Sequence, residues 1–174
     1  MSKTLSESEK QKMYRDARLT GAYDTIWQNV GKCAFCDLRS KYIILEENGM
    51  VLTVAVFAYI DGHMMIIPRR HIRSVKELTA LEWETARKFM YIAKKMIRQT
   101  HGIKGMQIVQ KDGAEAQSTV EHLHIHCIPF DAPDLCTWNY RKLRNTPADN
   151  AAQYKAKLDK IKHYGYKYDQ KYGR

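Results

Sequence analysis

The hydrophobic and polar positions of this chain change period several times, and each change marks a predicted element. Between residues 42 and 68, short runs rich in β-branched residues alternate with turn signals. They predict strands over 42–46, 50–57 and 63–68. Asn48-Gly49 between the first two runs is a strong hairpin signal. The order of these elements predicts an antiparallel meander.

Residues 79–101 have the strongest helical pattern in the chain. Thr79 and Glu82 fit a capping box, and Gly102 fits a helix stop. Apolar side chains recur close to the helical period at Leu81, Phe89, Ile92, Met96 and Ile97. Two further strands are predicted over 106–110 and 120–129. Strands combined with one long helix indicate an α+β fold.

Helical patterns also flank this central region. Residues 6–30 read as helical with a break near Gly21, and Ser6 and Ser8 are candidate N-caps. Residues 148–163 read as a basic helix. We therefore expect an N-terminal helical extension over 1–30, a central domain over 31–135 and a basic C-terminal extension over 136–174.

The charge balance is strongly basic, with 29 Lys and Arg against 19 Asp and Glu and a formal charge of +10. Such a surface attracts polyanions such as nucleotides, nucleic acids or anionic lipid. A solvated basic tail is the alternative, because residues 141–174 carry many of the cations. No apolar run approaches the roughly 20 residues of a membrane span, and the N-terminus lacks the apolar segment of a secretory signal. These features predict a cytoplasmic protein that does not enter the membrane.

The most distinctive segment is His122-Leu123-His124-Ile125-His126. On a strand, alternate side chains share a face, so the three imidazoles are expected on one side, about 6–7 Å apart, with the intervening residues and Cys127 toward the core. Histidines that merely decorate an exposed strand are the alternative. Three of seven histidines in regular apolar alternation argue against it. Imidazole can ligate metal, attack phosphorus or shuttle protons near neutral pH.

A second candidate site is the turn Cys33-Ala34-Phe35-Cys36. In a cytosolic chain a close cysteine pair more often binds metal or does redox work than forms a structural disulfide. A tetrahedral zinc site needs two more ligands, and no second pair of this spacing occurs. A buried or redox-active pair stays open as an alternative. Cys136 has no evident partner.

Two segments together resemble the histidine triad (HIT) hydrolases and transferases. The first is His122-Leu123-His124-Ile125-His126-Cys127-Ile128-Pro129, and the second is Gly62-His63 followed by the strand that ends in Pro68-Arg69-Arg70-His71. The resemblance covers about residues 31–130. It implies an antiparallel sheet of about five strands with one long helix packed on it, usually in a homodimer.

The resemblance also implies roles for individual residues. His124 would attack the α-phosphorus of a nucleotide and form a nucleotidyl-histidine intermediate, and His126 would contact the phosphate or leaving-group region. The candidate phosphate contacts before the triad are Gln117, Ser118 and Thr119. In zinc-containing members a Cys-x-x-Cys pair and two histidines bind a structural ion. The matching residues here are Cys33, Cys36, His71 and His122.

The sequence departs from the family pattern at two positions. Many members carry Asp or Asn eight residues before the Gly-His histidine, where it holds the ribose hydroxyls; here that position is Ala55. Diadenosine-polyphosphate hydrolases often carry Gln four residues before the triad, where this chain has Ser118. His63 is expected to pack in the strand–turn region, and His101 to end the long helix without a role in the site. Trp138 is expected to cover the core.

Three functions are consistent with these observations. The leading hypothesis is a nucleotide hydrolase or nucleotidyl transferase acting on a dinucleoside polyphosphate, a nucleoside phosphoramidate or an adenylated adduct. The second is a non-catalytic module that binds a phosphate through the triad and nucleic acid through the basic tail. A hydrolase of adenylated nucleic-acid ends ranks third, because the chain lacks an additional zinc-finger segment.

Overall fold

Five antiparallel strands and one long helix form the centre of the fold in the computed structural model. The structure describes residues 5–23, 33–113, 116, 120–131 and 144–172. It divides into two compact units, Met1–Ala132 and Pro133–Arg174. The sheet and the long helix belong to the first unit, which confirms the α+β fold class.

The sheet has the strand order β1-β2-β3-β5-β4, and every pairing in it is antiparallel. Its strands are β1 (Ile43–Glu47), β2 (Met50–Val54), β3 (Met64–Pro68), β4 (Gly105–Gln110) and β5 (Ile125–Phe130). The predicted meander of the first three is confirmed. Asn48 and Gly49 have φ values of 49° and 75°, as a tight two-residue hairpin of the type I′ class requires.

Strand β2 ends at Val54, earlier than the predicted end at residue 57. The chain turns there, and the Ala55 N–H donates to the His63 carbonyl at 3.0 Å. The turn closes at Gly62, whose φ of +83° favours glycine. A Cβ on Gly62 would lie 2.7 Å from the His101 ring, so close packing also requires glycine at this turn.

The prediction of a strand over 120–129 was wrong in its first half, because β5 begins only at Ile125. His122 and His124 precede the strand, and His126 lies within it. The Leu123 N–H donates to the Ile72 carbonyl at 2.6 Å, in the loop beyond β3. Pro68 has no N–H, and its carbonyl accepts from the His122 ring instead of from a neighbouring strand. The ladder between β3 and β5 therefore stops at the pair Ile66 and Ile125.

Helix α2 (Ala80–His101) confirms the predicted long helix and its caps. Thr79 accepts from the Glu82 N–H, and Gly102 ends the helix in the left-handed conformation. The buried face differs from the predicted stripe, since Leu81 and Met96 are 56% and 42% exposed. The buried residues of the helix are Glu82, Thr85, Ala86, Phe89, Ala93 and Ile97. Glu82 turns inward because its carboxylate pairs with Arg70 through two hydrogen bonds.

The two faces of the sheet bury different clusters. On one face α2 covers a core whose sheet residues are Met50, Leu52, Met64, Ile66, Ile125 and Cys127. The other face carries a smaller cluster of Phe35, Ala55, Met65 and Ile67. Because side chains alternate along β5, His126 lies on the face opposite Ile125 and Cys127. This placement confirms that Ile125 and Cys127 point into the core.

Each flanking segment contains helix, but the N-terminal helix ends at Asp16, earlier than the predicted break near Gly21. Helix α1 (Glu7–Asp16) begins after a capping box formed by Ser6 and Glu9, and Gly21 is left-handed, at the predicted break. Residues 24–30 lie outside the described part. The second unit contains α3 (Pro147–Lys155) and α4 (Leu158–Tyr172), so the single basic helix predicted over 148–163 is two helices. Among the described residues, no helix is long and apolar enough to cross a membrane.

Candidate active site and metal centre

Four predicted ligand residues from three separate segments meet beside the sheet. The possible ligand atoms of Cys33, Cys36, His71 and His122 all lie within 4.8 Å of one another. Cys36 Sγ is 3.2 Å from His71 Nδ1 and 3.6 Å from His122 Nδ1, and Cys33 Sγ is 3.5 Å from His122 Nδ1. The fold therefore assembles a Cys2His2 group from residues up to 89 positions apart.

The buried ring of His122 is held so that Nδ1 faces the cysteines. Its Nε2 lies 2.8 Å from the Pro68 carbonyl, which can only accept a hydrogen bond. The proton therefore sits on Nε2, and the lone pair of Nδ1 is directed at the sulfurs. Burial lowers the pKa of His122, which keeps the ring neutral at physiological pH. A neutral imidazole with one nitrogen fixed by a carbonyl is the usual form of a metal ligand.

His124 is oriented by the backbone of the first triad histidine. Its Nδ1 lies 2.8 Å from the His122 carbonyl, so Nδ1 carries the proton and Nε2 keeps its lone pair. The ring is buried and packs against Phe35, with 4.9 Å between ring centroids. Burial lowers the pKa of His124, and the charge of Lys111 lowers it further. The result is a neutral imidazole whose Nε2 is free to act as a nucleophile or a base.

His126 on β5 and His63, the residue just before β3, form a buried pair. The Tyr59 N–H donates to His63 Nδ1 at 3.2 Å, so His63 carries its proton on Nε2. That Nε2 lies 2.9 Å from His126 Nδ1 and donates to it. His126 in turn carries its proton on Nε2. The chain of donors from Tyr59 through His63 thus makes His126 Nε2 a hydrogen-bond donor.

Both members of this pair are neutral over the physiological range. Burial is the largest cause and lowers the pKa of His63 to about 4 and that of His126 to about 3. The positive charges of Arg18 and Lys111 act in the same direction on His126. Two positive side chains therefore act on a site whose histidines are uncharged, an arrangement suited to an anionic ligand.

The structure brings the three triad histidines together, although in a different geometry from a continuous strand face. His124 and His126 have ring centroids 4.8 Å apart with nearly perpendicular planes. Ala55 is buried in the apolar cluster on the same side of the sheet, so its side chain offers no hydrogen bond to a ribose. The predicted residues Gln117, Ser118, Thr119, Cys136 and Trp138 lie outside the described residues.

Sequence reasoning missed His63 as part of this constellation. It was expected to pack in the strand–turn region, and it does so, but its ring also orients His126. A signal was available, because the Gly62-His63 motif belongs to the segment that carries the family resemblance. Arg18 and Tyr59 were missed as well. No local pattern marks them, since their position follows from how the N-terminal extension lies on the turn before β3.

Comparisons with known proteins agree with this geometry. Residues 39–132, more than half of the chain, match the HIT domain family. The chain therefore belongs to the HIT domain family. A solved structure of a HIT family protein from Bacillus subtilis is 23% identical, with a TM-score of 0.60 over 72% of this chain and 96% of that one. That likeness shows the shared fold.

Two curated relatives carry more specific names. The nitrilase and fragile histidine triad fusion protein NitFhit of Caenorhabditis elegans is 38% identical over 78 residues, which is 43% of this chain and 17% of that protein. The bis(5'-adenosyl)-triphosphatase of Dictyostelium discoideum is 32% identical over 96 residues, 53% of this chain and 62% of that protein. The chain thus spans less than two thirds of the length of either relative.

Proposed function

We propose that this HIT protein is a nucleotide hydrolase or nucleotidyl transferase in which His124 attacks the α-phosphorus. The observation that carries the proposal is the 2.8 Å hydrogen bond between His124 Nδ1 and the His122 carbonyl. It leaves the lone pair of Nε2 for attack, and the lowered pKa of His124 keeps that lone pair unprotonated. A neutral, oriented imidazole is an effective covalent nucleophile.

The reaction then has two steps. In the first, a bond forms between His124 Nε2 and the α-phosphorus while the bond from phosphorus to the bridging oxygen breaks. The electron pair of that bond leaves with the released group. In the second, water or another acceptor attacks the phosphorus, the N–P bond breaks, and the proton of the acceptor passes to solvent. Splitting one displacement in this way replaces a single difficult step by two easier ones.

His126 is placed to serve the leaving group. Its Nε2–H donates a hydrogen bond, and its pKa of about 3 means that it holds no second proton to give away. A phosphate chain departs as an anion and needs only hydrogen bonds, whereas an amine must receive a proton. This property favours a dinucleoside polyphosphate over a nucleoside phosphoramidate, in line with the name of the Dictyostelium relative.

The remaining substrate contacts are proposals that rest on sequence position. Gln117, Ser118 and Thr119 precede the triad and would bind the phosphate oxygens with nearby backbone N–H groups. Ala55 cannot hydrogen-bond to a ribose, so the ribose hydroxyls of a bound nucleotide must have other partners. We make no assignment of the base.

The Cys2His2 group is proposed to bind one structural zinc ion. Zinc bonds of about 2.3 Å to sulfur and 2.0–2.1 Å to nitrogen give tetrahedral S···N edges of about 3.5 Å. The three S···N distances of 3.2, 3.5 and 3.6 Å match that edge. Protein ligands fill all four positions, so the ion would stabilise the segment before β5 and hold His122, whose carbonyl orients His124.

We also propose a homodimer, which the family resemblance implies. Within the described residues, β4 is an edge strand that pairs only with β5. Its Ile108 is 50% exposed. An edge strand with unpaired backbone groups and an exposed apolar side chain is suited to pairing with a second copy.

The nucleophile is tested by the substitution His124→Asn, with His163→Asn on the exposed helix α4 as the matched control. Release of AMP or GMP is measured from dinucleoside polyphosphates and nucleoside phosphoramidates. We expect His124→Asn to lose more than about a hundred-fold in kcat/KM, because the covalent route is closed. Undiminished turnover by this variant would remove His124 from the nucleophile's role.

A non-catalytic binding module is the second candidate, and the second unit favours it. Three exposed tyrosines of α4 lie in the run Tyr164-Gly165-Tyr166-Lys167-Tyr168, and aromatic and basic residues together bind single-stranded nucleic acid by stacking and charge. This candidate predicts salt-sensitive nucleic-acid binding, little turnover, and indifference to His124→Asn. Removal of residues 141–174 would then abolish the binding. Adenylated nucleic-acid ends are a third substrate class and belong in the same panel.

A further inference from the structure

Arg18, which follows α1 in the N-terminal extension, is held in a fixed place beside the turn before β3. Its Nε donates to the Phe57 carbonyl at 2.7 Å. Its guanidinium carbon lies 4.2 Å from the centre of the Tyr23 ring and 4.0 Å from the centre of the Tyr59 ring. Two aromatic rings and one carbonyl thus restrain the side chain before any ligand arrives.

Tyr59 connects this guanidinium to the paired rings of His63 and His126. The Tyr59 ring stacks on His63 with centroids 5.0 Å apart, and it lies 5.9 Å from the His126 ring. Tyr59 is therefore a shared neighbour of the guanidinium and of His126. The positive charge of Arg18 lowers the pKa of both histidines, although burial is the larger cause.

Within the described residues, no carboxylate forms an ion pair with Arg18. Among the other described arginines, those without such a partner are exposed, whereas Arg18 is not; these exposed arginines are Arg39, Arg98 and Arg144. Arg18 is also partly buried, where an uncompensated charge is costly. Its described hydrogen bond uses Nε and leaves the two terminal nitrogens for an anion.

We propose that Arg18 binds the leaving-group phosphate, one or more phosphates beyond the one that His124 attacks. This inference rests on the proposed function. His126, which would serve the leaving group, adjoins His124, Tyr59 lies beside His126, and the Arg18 guanidinium stacks on Tyr59. A planar guanidinium can bind two oxygens of one phosphate. The N-terminal extension would therefore set the substrate class, selecting groups that depart as a charged phosphate chain.

The test compares two substrates that share the adenylyl group and differ in what departs. Diadenosine triphosphate releases ADP, whereas the p-nitrophenyl ester of AMP releases a phenolate without phosphate. We expect Arg18→Ala to lower kcat/KM for diadenosine triphosphate by about ten- to hundred-fold, the effect of removing one charged hydrogen-bond partner. Turnover of the nitrophenyl ester should stay within about three-fold of wild type, because no phosphate leaves.

Matched variants separate this role from a structural one. Arg15→Ala removes a cation from the same extension, but that arginine is exposed and paired with Asp16, so both activities should be unchanged. Arg18→Lys keeps the charge and should recover part of the lost activity. Competitive inhibition adds a readout independent of turnover: Arg18→Ala should weaken inhibition by ADP more than inhibition by AMP.

The activities on the two substrates distinguish failure of the Arg18 proposal from failure of the proposed function. An equal loss on both substrates would assign Arg18 to positioning of the histidines and overturn the proposal, as would no loss on either. If the wild-type protein cleaves neither of these substrates nor any other member of the panel used to test His124, the proposed function fails and the inference falls with it. If it cleaves a nucleoside phosphoramidate but not diadenosine triphosphate, the inference about Arg18 is overturned while the proposed function stands. If wild type is active on both and His124→Asn is not, the proposed function stands whatever Arg18→Ala shows.

Discussion

At the scale of single residues, the site depends on which nitrogen of each ring carries the proton. Carbonyls of Pro68 and His122 set this for His122 and His124, and the Tyr59 N–H sets it for His63 and, through it, for His126. Each assignment follows from a partner that can only accept or only donate. The three triad histidines are therefore not equivalent: one faces the cysteines, one presents a lone pair, and one presents a proton.

The neutrality of His63 and His126 predicts a loss of stability in acid. Their folded pKa values are about 4 and about 3, below the value of about 6.5 in the unfolded chain. As pH falls below about 6.5, the unfolded state takes up protons that the folded state does not bind. The urea midpoint should therefore fall between pH 7.5 and pH 5, and it should fall less in His126→Asn, which has lost one of these groups.

The control for this measurement is His163→Asn, since that histidine is exposed on α4. It should show the full pH dependence of wild type. The proposed zinc ligands are intact in all three proteins, so acid release of a metal cancels in the comparison. Identical slopes for wild type and His126→Asn would contradict the assignment of a depressed pKa to this residue.

At the scale of elements, separate segments converge where β3 and β5 diverge. The turn with Cys33 and Cys36 meets His71 after β3 and His122 before β5. The Pro68 carbonyl at the end of β3 receives the His122 ring, which ends the ladder and opens room for the four ligand atoms. A metal at this point would tie together segments that the sheet alone leaves unpaired.

Removing one ligand should release the metal and destabilise the fold. We expect about one zinc per chain in wild type purified without chelators, and none in Cys36→Ala, because three ligands do not close a structural site. The Tm of Cys36→Ala should drop by roughly 5–10 °C, and a chelator should lower the Tm of wild type to a similar value. Mass spectrometry of the metal content and thermal unfolding measure both effects.

Cys127→Ala is the matched cysteine control. Cys127 is buried in the core under α2, where burial raises the pKa of its thiol to about 12, and it is not one of the four ligand residues. It should keep its zinc. Wild-type protein that contains no zinc in non-chelating buffer would rule out the proposed centre.

At the scale of the whole molecule, the sheet has two edges, formed by β1 and β4. Each edge strand carries a half-exposed isoleucine: Ile44 is 48% exposed on β1, and Ile108 is 50% exposed on β4. Of these two edge strands, only β4 pairs with β5, the strand that carries His126. Pairing of two copies along β4 would therefore join the two active-site strands into one continuous sheet.

The proposed dimer predicts a different result at each edge. A lysine at the interface would place a charge in an apolar contact, so Ile108→Lys should give the mass of a monomer in light scattering, while wild type gives that of a dimer. Ile44→Lys makes the same change at the β1 edge and should stay dimeric. If Ile44→Lys is a monomer and Ile108→Lys is still a dimer, the interface lies at the β1 edge and the proposed β4 interface is wrong.

Local patterns in the sequence determined much of this protein. The capping box and Gly102 correctly marked the two ends of α2. Asn48-Gly49 forms the predicted hairpin turn, and the alternation correctly placed Ile125 and Cys127 toward the helix. These signals depend on residues a few positions apart, where the helical period, the pleat and turn geometry act directly. The same alternation singled out His122, His124 and His126, the residues of the proposed site.

Only the tertiary structure decided where those histidines lie and what they contact. The start of β5 depends on a carbonyl of Pro68, 54 residues before His122, and the orientation of His126 depends on His63, 63 residues before it. Arg18 lies against Phe57 and Tyr59 because the N-terminal extension lies on the turn before β3. Contacts over such separations follow from strand order and packing, which no local period encodes.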